Sequence, residues 1–197
     1  MAIIAWPNFR IGAVDFMVEF DVQMSVYRSG RIDTFGLPGG RWTASIRFEL
    51  GFEDGDRPAI EALIMSLEGG ANRLSLHHLG RPVPNGTLRG TPTLGSAVAA
   101  GAKSLTLVNA NGGLKRGDII GLPGQIVMVT ADVNPVVTNL TVAVLPAIRA
   151  SHNSGTAVAW NKPTTLFIPR NAVAGPFPFS PGKVRPAFSL DLIEAYV

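Results

Sequence analysis

RWTASIRFEL, residues 41–50, sets the fold class. Trp42, Ala44, Ile46, Phe48 and Leu50 fall on one side of an extended chain, and Thr43, Ser45, Arg47 and Glu49 on the other. Successive side chains of a strand point to opposite faces, so this run predicts a strand with one face in a core and one toward water. It is the strongest period-2 signal in the chain. Upstream, AVDFMVEFDVQMSVYRSGRIDTF, residues 13–35, predicts two more strands with Ser29-Gly30 offering a turn between them. Gly36-Leu37-Pro38-Gly39 then predicts a type II turn, with Pro setting φ and Gly accepting the positive φ that follows.

Working downstream, EDGDRPAIEALIMSLEGG, residues 53–70, predicts a helix over 57–68. Asp56 suits an N-cap, Pro58 sits in the first turn, and Ile60, Leu63, Ile64 and Leu67 fall at i, i+3, i+4 and i+7. Gly69 and Gly70 stop it. From Pro82 to about Lys162 the texture changes to five short β runs, KSLTLVN, GDIIGL, QIVMVT, NLTVAVL and GTAVAW, separated by Gly, Pro and Asn. The second GLPG, residues 121–124, predicts the same turn again. TTLFIP and RPAFSLDLIEAYV then return to longer strands. The fold class expected is mainly β with one amphipathic helix: a discontinuous domain, residues 1–81 plus 163–197, into which a small β module, residues 82–162, is inserted.

With 197 residues the chain can build one full core or two small ones. It has no cysteine, which excludes disulfides, thiolate metal sites and a cysteine nucleophile. The start, MAIIAWPNFRIGAVDF, has no secretory pattern, and no run approaches the ~20 apolar residues of a helical membrane span, so no membrane partner is expected. The net charge of +3 comes from scattered cations, too diffuse for a specific nucleic-acid footprint. Charged residues make up 16%, against ~25% in an average globular protein, which favours a surface covered in part by neighbours.

Catalytic and metal chemistry find little purchase. His77 and His78 are consecutive in a strand and point to opposite faces, so they cannot chelate one ion, and His152 has no acidic neighbour at ligand spacing. Glu53, Asp54 and Asp56 lack the order of a calcium loop and fit a strand-to-helix turn. SPGKV, residues 180–184, lacks the Ser or Thr and the first glycine of a phosphate-binding loop. No catalytic residue, cofactor or metal is expected. AGPFPFSPG, residues 174–182, differs: Phe177 and Phe179 flank a proline in a glycine-bounded loop, where aromatics either tuck under or anchor a partner.

The order of these segments resembles a known family. Pro38-Gly39-Gly40-Arg41-Trp42, the stretch LEGGANRLSLHHLGRPVPNGTLRG (67–90), LKRGDIIGLPGQIVMVT (114–130), VLPAIRA (144–150) and GTAVAW (155–160) together resemble distal tail proteins, minor tail proteins of long-tailed bacteriophages, prophages and phage-like gene transfer particles. The resemblance implies a β-sandwich or split-barrel domain with one helix that forms a six-fold ring joining the tail tube to the tail-tip hub, and a second, barrel-like β module. It implies as partners other copies of the chain, the tube protein and hub or tip proteins, a place in the virion tail after assembly in the bacterial host cytoplasm, and room for DNA to pass through the lumen. The chain departs from that layout in returning to its first domain at the C-terminus.

On this reading residues 79–90 are the joint where the chain leaves the ring domain, stiffened by Pro82 and Pro84 and turned at Asn85-Gly86. A ring built head to tail needs two different complementary patches per subunit. The candidates are Trp42, Phe177, Phe179, and the last strand with Leu192, Ile193 and Tyr196, whose alternation changes phase near Leu192 and predicts a bulge or a strand apolar on both faces. The alternative is a module that binds carbohydrate or a cell surface, with Trp160 as its one aromatic platform.

Overall fold

The computed structural model describes residues 1–7, 9, 11–48, 56–134, 139–172 and 188–196. In chain order the elements are β1 (Ile3–Ala5), β2 (Ala13–Val26), β3 (Ile32–Phe48), α1 (Asp56–Ser66), β4 (Arg73–His77), β5 (Arg89–Leu94), β6 (Ser104–Asn111), β7 (Ile119–Leu122), β8 (Gln125–Val129), β9 (Leu140–Leu145), β10 (Thr164–Pro169) and β11 (Phe188–Glu194). The protein is thus mainly β, with α1 the one α-helix among the described residues. It divides into two compact units, Met1–Met17 with Trp42–Gly80 and Thr164–Val197, and Val18–Arg41 with Arg81–Pro163.

The first unit is built on a mixed sheet of order β1-β4-β10-β11-β3-β2. Strands β1 and β4 pair in parallel; β4–β10, β10–β11 and β11–β3 are antiparallel. The register puts apolar residues in cross-strand rows, Leu74 against Phe167, Leu190 against Ile46 and Leu192 against Ala44. All six are buried, as are Trp42 and Phe48. The helix contributes Ile60, Leu63 and Ile64, with Leu67 just beyond its end, and Arg57 meets Glu61 one turn on at 2.9 Å.

Glu194 takes a core position in that register. It pairs with Phe167 and is 1% exposed. Its Oε2 accepts the Trp42 N–H at 3.1 Å and its Oε1 the Thr165 hydroxyl at 2.8 Å, so one carboxylate ties β3, β10 and β11 together. The change of phase expected near Leu192 is therefore not a bulge: the β11–β3 register runs unbroken from Phe188 to Ile193. The inward series is Leu190, Leu192 and Glu194, and the half-buried Ile193 faces the other way.

Two further expectations need correction. The helix ends at Ser66 and not at Glu68, giving way to a 3-10 turn, Glu68–Gly70. Gly69 has φ +63°, and a Cβ there would lie 2.6 Å from the Ala172 carbonyl oxygen, so the chain kinks where only glycine fits. The first GLPG, Gly36–Gly39, is not a turn, since β3 runs straight through it. The reversal comes earlier, where Tyr27 and Arg31 are hydrogen-bonded and Gly30 has φ +80°. Strand β3 neighbours β2 in the sheet and continues through residues 36–39, with Gly39 at φ +133°, so local turn preference yields to the ladder. The second GLPG behaves as expected: Leu122 pairs with Gln125, leaving Pro123-Gly124 as a two-residue hairpin turn with Gly124 at φ +78°.

The second unit carries a curled antiparallel sheet of order β5-β6-β9-β8-β7. Its concave core is aliphatic, with Leu94, Leu107, Leu114, Ile120, Val127, Leu140, Val142 and Val144 all buried. GTAVAW forms no ladder of its own. Residues 156–159 instead bond to both edge strands, with Leu94 N–H to Thr156 O at 2.9 Å, Val158 N–H to Pro92 O at 2.9 Å and Gly121 N–H to Ala159 O at 2.7 Å. This segment ties β5 to β7, so neither edge strand presents bare backbone there. Strand β5, which contains Pro92, had no clear signal in the sequence.

Replacing Glu194 with Ala should remove the buried acceptor of the Trp42 N–H and the Thr165 hydroxyl. The loss expected is about 1–3 kcal/mol, read as a lowered urea midpoint with unchanged slope. Thr165→Val, which removes the hydroxyl as well as its need for a partner, should cost less.

Candidate interaction surface

Strand β2 alternates over its whole length. Val14, Phe16, Val18, Phe20, Val22, Met24 and Val26 share one face, and Asp15, Glu19, Asp21, Gln23 and Ser25 the other, with Met17 the apolar exception. At its start this apolar face is occupied: the Phe16 ring stacks on His78 at 4.2 Å and meets Phe167 edge-on at 6.3 Å. From residue 19 onward every residue of β2 is exposed, and Phe20 is 50% and Val26 72% exposed. Across the turn Tyr27, Ile32 and Phe35 are exposed as well.

Residues 18–41 thus form a two-stranded arm whose apolar stripe continues past the point where anything covers it. Phe20, Val22, Met24, Val26 and Ile32 present apolar surface on the order of 500 Å², near the upper end for the largest patch on a monomer. A two-stranded ribbon without a third strand or a covering layer is marginally stable in water. Within the second unit, Gly40 lets the ribbon close up, because a Cβ there would lie 3.0 Å from Val18, Phe20 and Pro146.

The joint at residues 81–89 is held by one carboxylate. Asp118, 2% exposed, accepts the Asn85 N–H at Oδ1 (2.8 Å) and those of Gly86 (3.1 Å) and Lys115 (2.7 Å) at Oδ2. Gly86 has to be glycine, because a Cβ would lie 2.4 Å from the Gly113 carbonyl oxygen. Lys162 N–H donates to Pro82 O at 2.6 Å, so the two ends of the module lie side by side, and in the first unit His77 pairs with Thr164. Around the joint stand Arg81, whose Nη1 donates to Gly117 O at 3.0 Å, Arg89, Lys115, Arg116 and Lys162, all exposed. Asp132 answers this charge: the Arg116 backbone N–H, then its guanidinium, hold the carboxyl below the ordinary aspartate value, and Lys115 adds to the field.

The interface candidates fall in several places. Trp42 and Leu192 are each 1% exposed, sealed in the core of the first unit, and Ile193 is half-buried. Tyr196 is exposed, and its carbonyl accepts from Arg73 Nη1 at 3.0 Å. Phe177 and Phe179 lie outside the described residues, as do Glu53 and Asp54. Trp160 carries the Arg89 guanidinium 5.0 Å above its ring and donates Nε1–H to Gly90 O. Among the described residues no group of three His, Asp or Glu could hold a metal. The signal that marks the arm in the sequence is its parity: seven apolar residues at period 2, Val14 to Val26, form a longer series than the five around Trp42.

No known protein family matches the chain, and no curated protein is detectably similar to it.

Asp118→Asn turns one acceptor oxygen into a donor facing backbone N–H groups. It should destabilise the module by about 1–3 kcal/mol. Amide exchange would show faster opening of residues 82–88 and 112–118, with β4 and β10 little changed.

Proposed function

We propose that the chain is a structural subunit of a homo-oligomeric ring at the distal end of a long-tailed phage tail, joining tail tube to tip. The observation that carries this reading is the arm: a long ribbon with an apolar stripe left in water is costly for a protein that works alone, and ordinary for one that works against neighbours. In this reading the first unit is the split-barrel ring domain and the curled sheet of the second is a small barrel. A head-to-tail interface that closes by rotation needs a second, different patch to receive the arm. The resemblance to distal tail proteins supplies the tail and its tube and hub partners. No catalytic constellation competes with this among the described residues, and the ring of Trp160 is already engaged by Arg89.

Native mass across concentration, with negative-stain images of large species, tests the reading. The wild-type chain should give closed rings of one size. Val26→Asp with Ile32→Asp, two exposed positions near the arm's turn, should leave the melting temperature unchanged and abolish the rings. A wild-type chain that is monomeric at every concentration would sink the proposal.

A further inference from the structure

Cations that lie far apart in the sequence meet at the module joint. Residues 82–162 hold six, Arg89, Lys103, Lys115, Arg116, Arg149 and Lys162, against two carboxylates, Asp118 and Asp132, so of the chain's net +3 this stretch carries +4 and the rest −1. The fold draws four of the six, together with Arg81, to residues 81–89. Arg81 Nη1 lies 3.0 Å from Gly117 O, beside Lys115 and Arg116; Lys162 N–H donates to Pro82 O at 2.6 Å; and Arg89 Nη1 donates to Gly86 O at 3.3 Å. All five are exposed. The nearby carboxylates leave most of this charge unanswered: Asp118 is 2% exposed and turned to three backbone N–H groups, and Asp132 pairs with Arg116. Among the described residues Arg81, Arg89, Lys115 and Lys162 have no carboxylate partner.

We propose that this rim binds the phosphate backbone of duplex nucleic acid without regard to base sequence. The inference goes beyond the ring reading and does not depend on it. Duplex DNA presents about one negative charge per 1.7 Å of its axis, and cations that reach its phosphates gain by releasing condensed counterions. Surfaces that bind it are polar and positive, whereas the footprint of a protein partner is depleted of lysine at its core and centred on aromatic anchors. The rim matches the first description. Its exposed apolar side chain is Val83, and its aromatic, Trp160, packs on the module core with the Arg89 guanidinium 5.0 Å from its ring centre. A ring engaged in this way gives an unstacked base or a sugar no platform, which favours a duplex over a single strand or a glycan.

Fluorescence anisotropy of a short labelled DNA duplex, titrated with the full chain between about 50 and 200 mM salt, tests this. Log affinity should fall against log salt with a slope of about −4, as contacts from five cations require, and duplexes of unrelated sequence should bind alike. Lys115→Gln with Lys162→Gln should weaken binding at least about tenfold at low salt and flatten the slope by about 2. Arg28→Gln with Lys103→Gln, at two exposed cations off the rim, makes the same change in net charge and should leave affinity within about twofold. Running both pairs in the Val26→Asp, Ile32→Asp background should give the same ratio, which separates this contact from ring assembly. A wild-type chain that does not bind the duplex at the lowest salt, or an off-rim pair that loses as much as the rim pair, would overturn the site. So would rim-dependent binding of polygalacturonate, an acidic glycan, with no binding of DNA. Each of these leaves the ring reading standing.

Discussion

The pairing of His77 with Thr164 is the constraint on which the rest depends. Strands β4 and β10 are neighbours in the first sheet, yet the whole module lies between them in the chain. Closing a loop of that length costs roughly 4 kcal/mol if the loop is flexible. Here it is not: β5 to β9 form a sheet with its own aliphatic core, and Lys162 is bonded to Pro82 before the strands are reached. The module's folding therefore offsets the closure cost, and the first sheet can zip across a gap that is long in sequence and short in space. Asp118 takes part in the same arrangement, since it fixes residues 85 and 86 against the β6–β7 turn and so sets where the chain enters.

Much of this was legible where side-chain parity was undisturbed. The strand around Trp42, the helical stripe of Ile60, Leu63 and Ile64, and four of the module's five strands could be read directly, because burial there is mostly apolar, with Thr43 and Gln125 the polar exceptions. Legibility failed where a polar residue takes a core role. Glu194 faces inward because it has two donors to receive, and a reading that assigns every acid to water turns this into a false bulge. Asp118 likewise faces inward to receive backbone N–H groups. The two GLPG stretches share a sequence and differ in structure: one ends a short strand, and the other lies where a partner strand continues past it.

The arm shows the opposite failure. Its parity is plain, but parity predicts a face that wants cover, and nothing in a period-2 pattern says whether the cover comes from the same chain. Only the exposure of Phe20 to Val26 separates the two cases.

The side-by-side ends of the module have a meaning for engineering and for descent. Any folded domain whose termini lie about one strand spacing apart, ~5 Å, could be spliced between β4 and β10 without changing the register of the sheet that receives it. The position after Gly80 is thus suited to exchange of the inserted segment, and a replacement would also have to meet the base of the arm, where Gly40 now lies against Pro146.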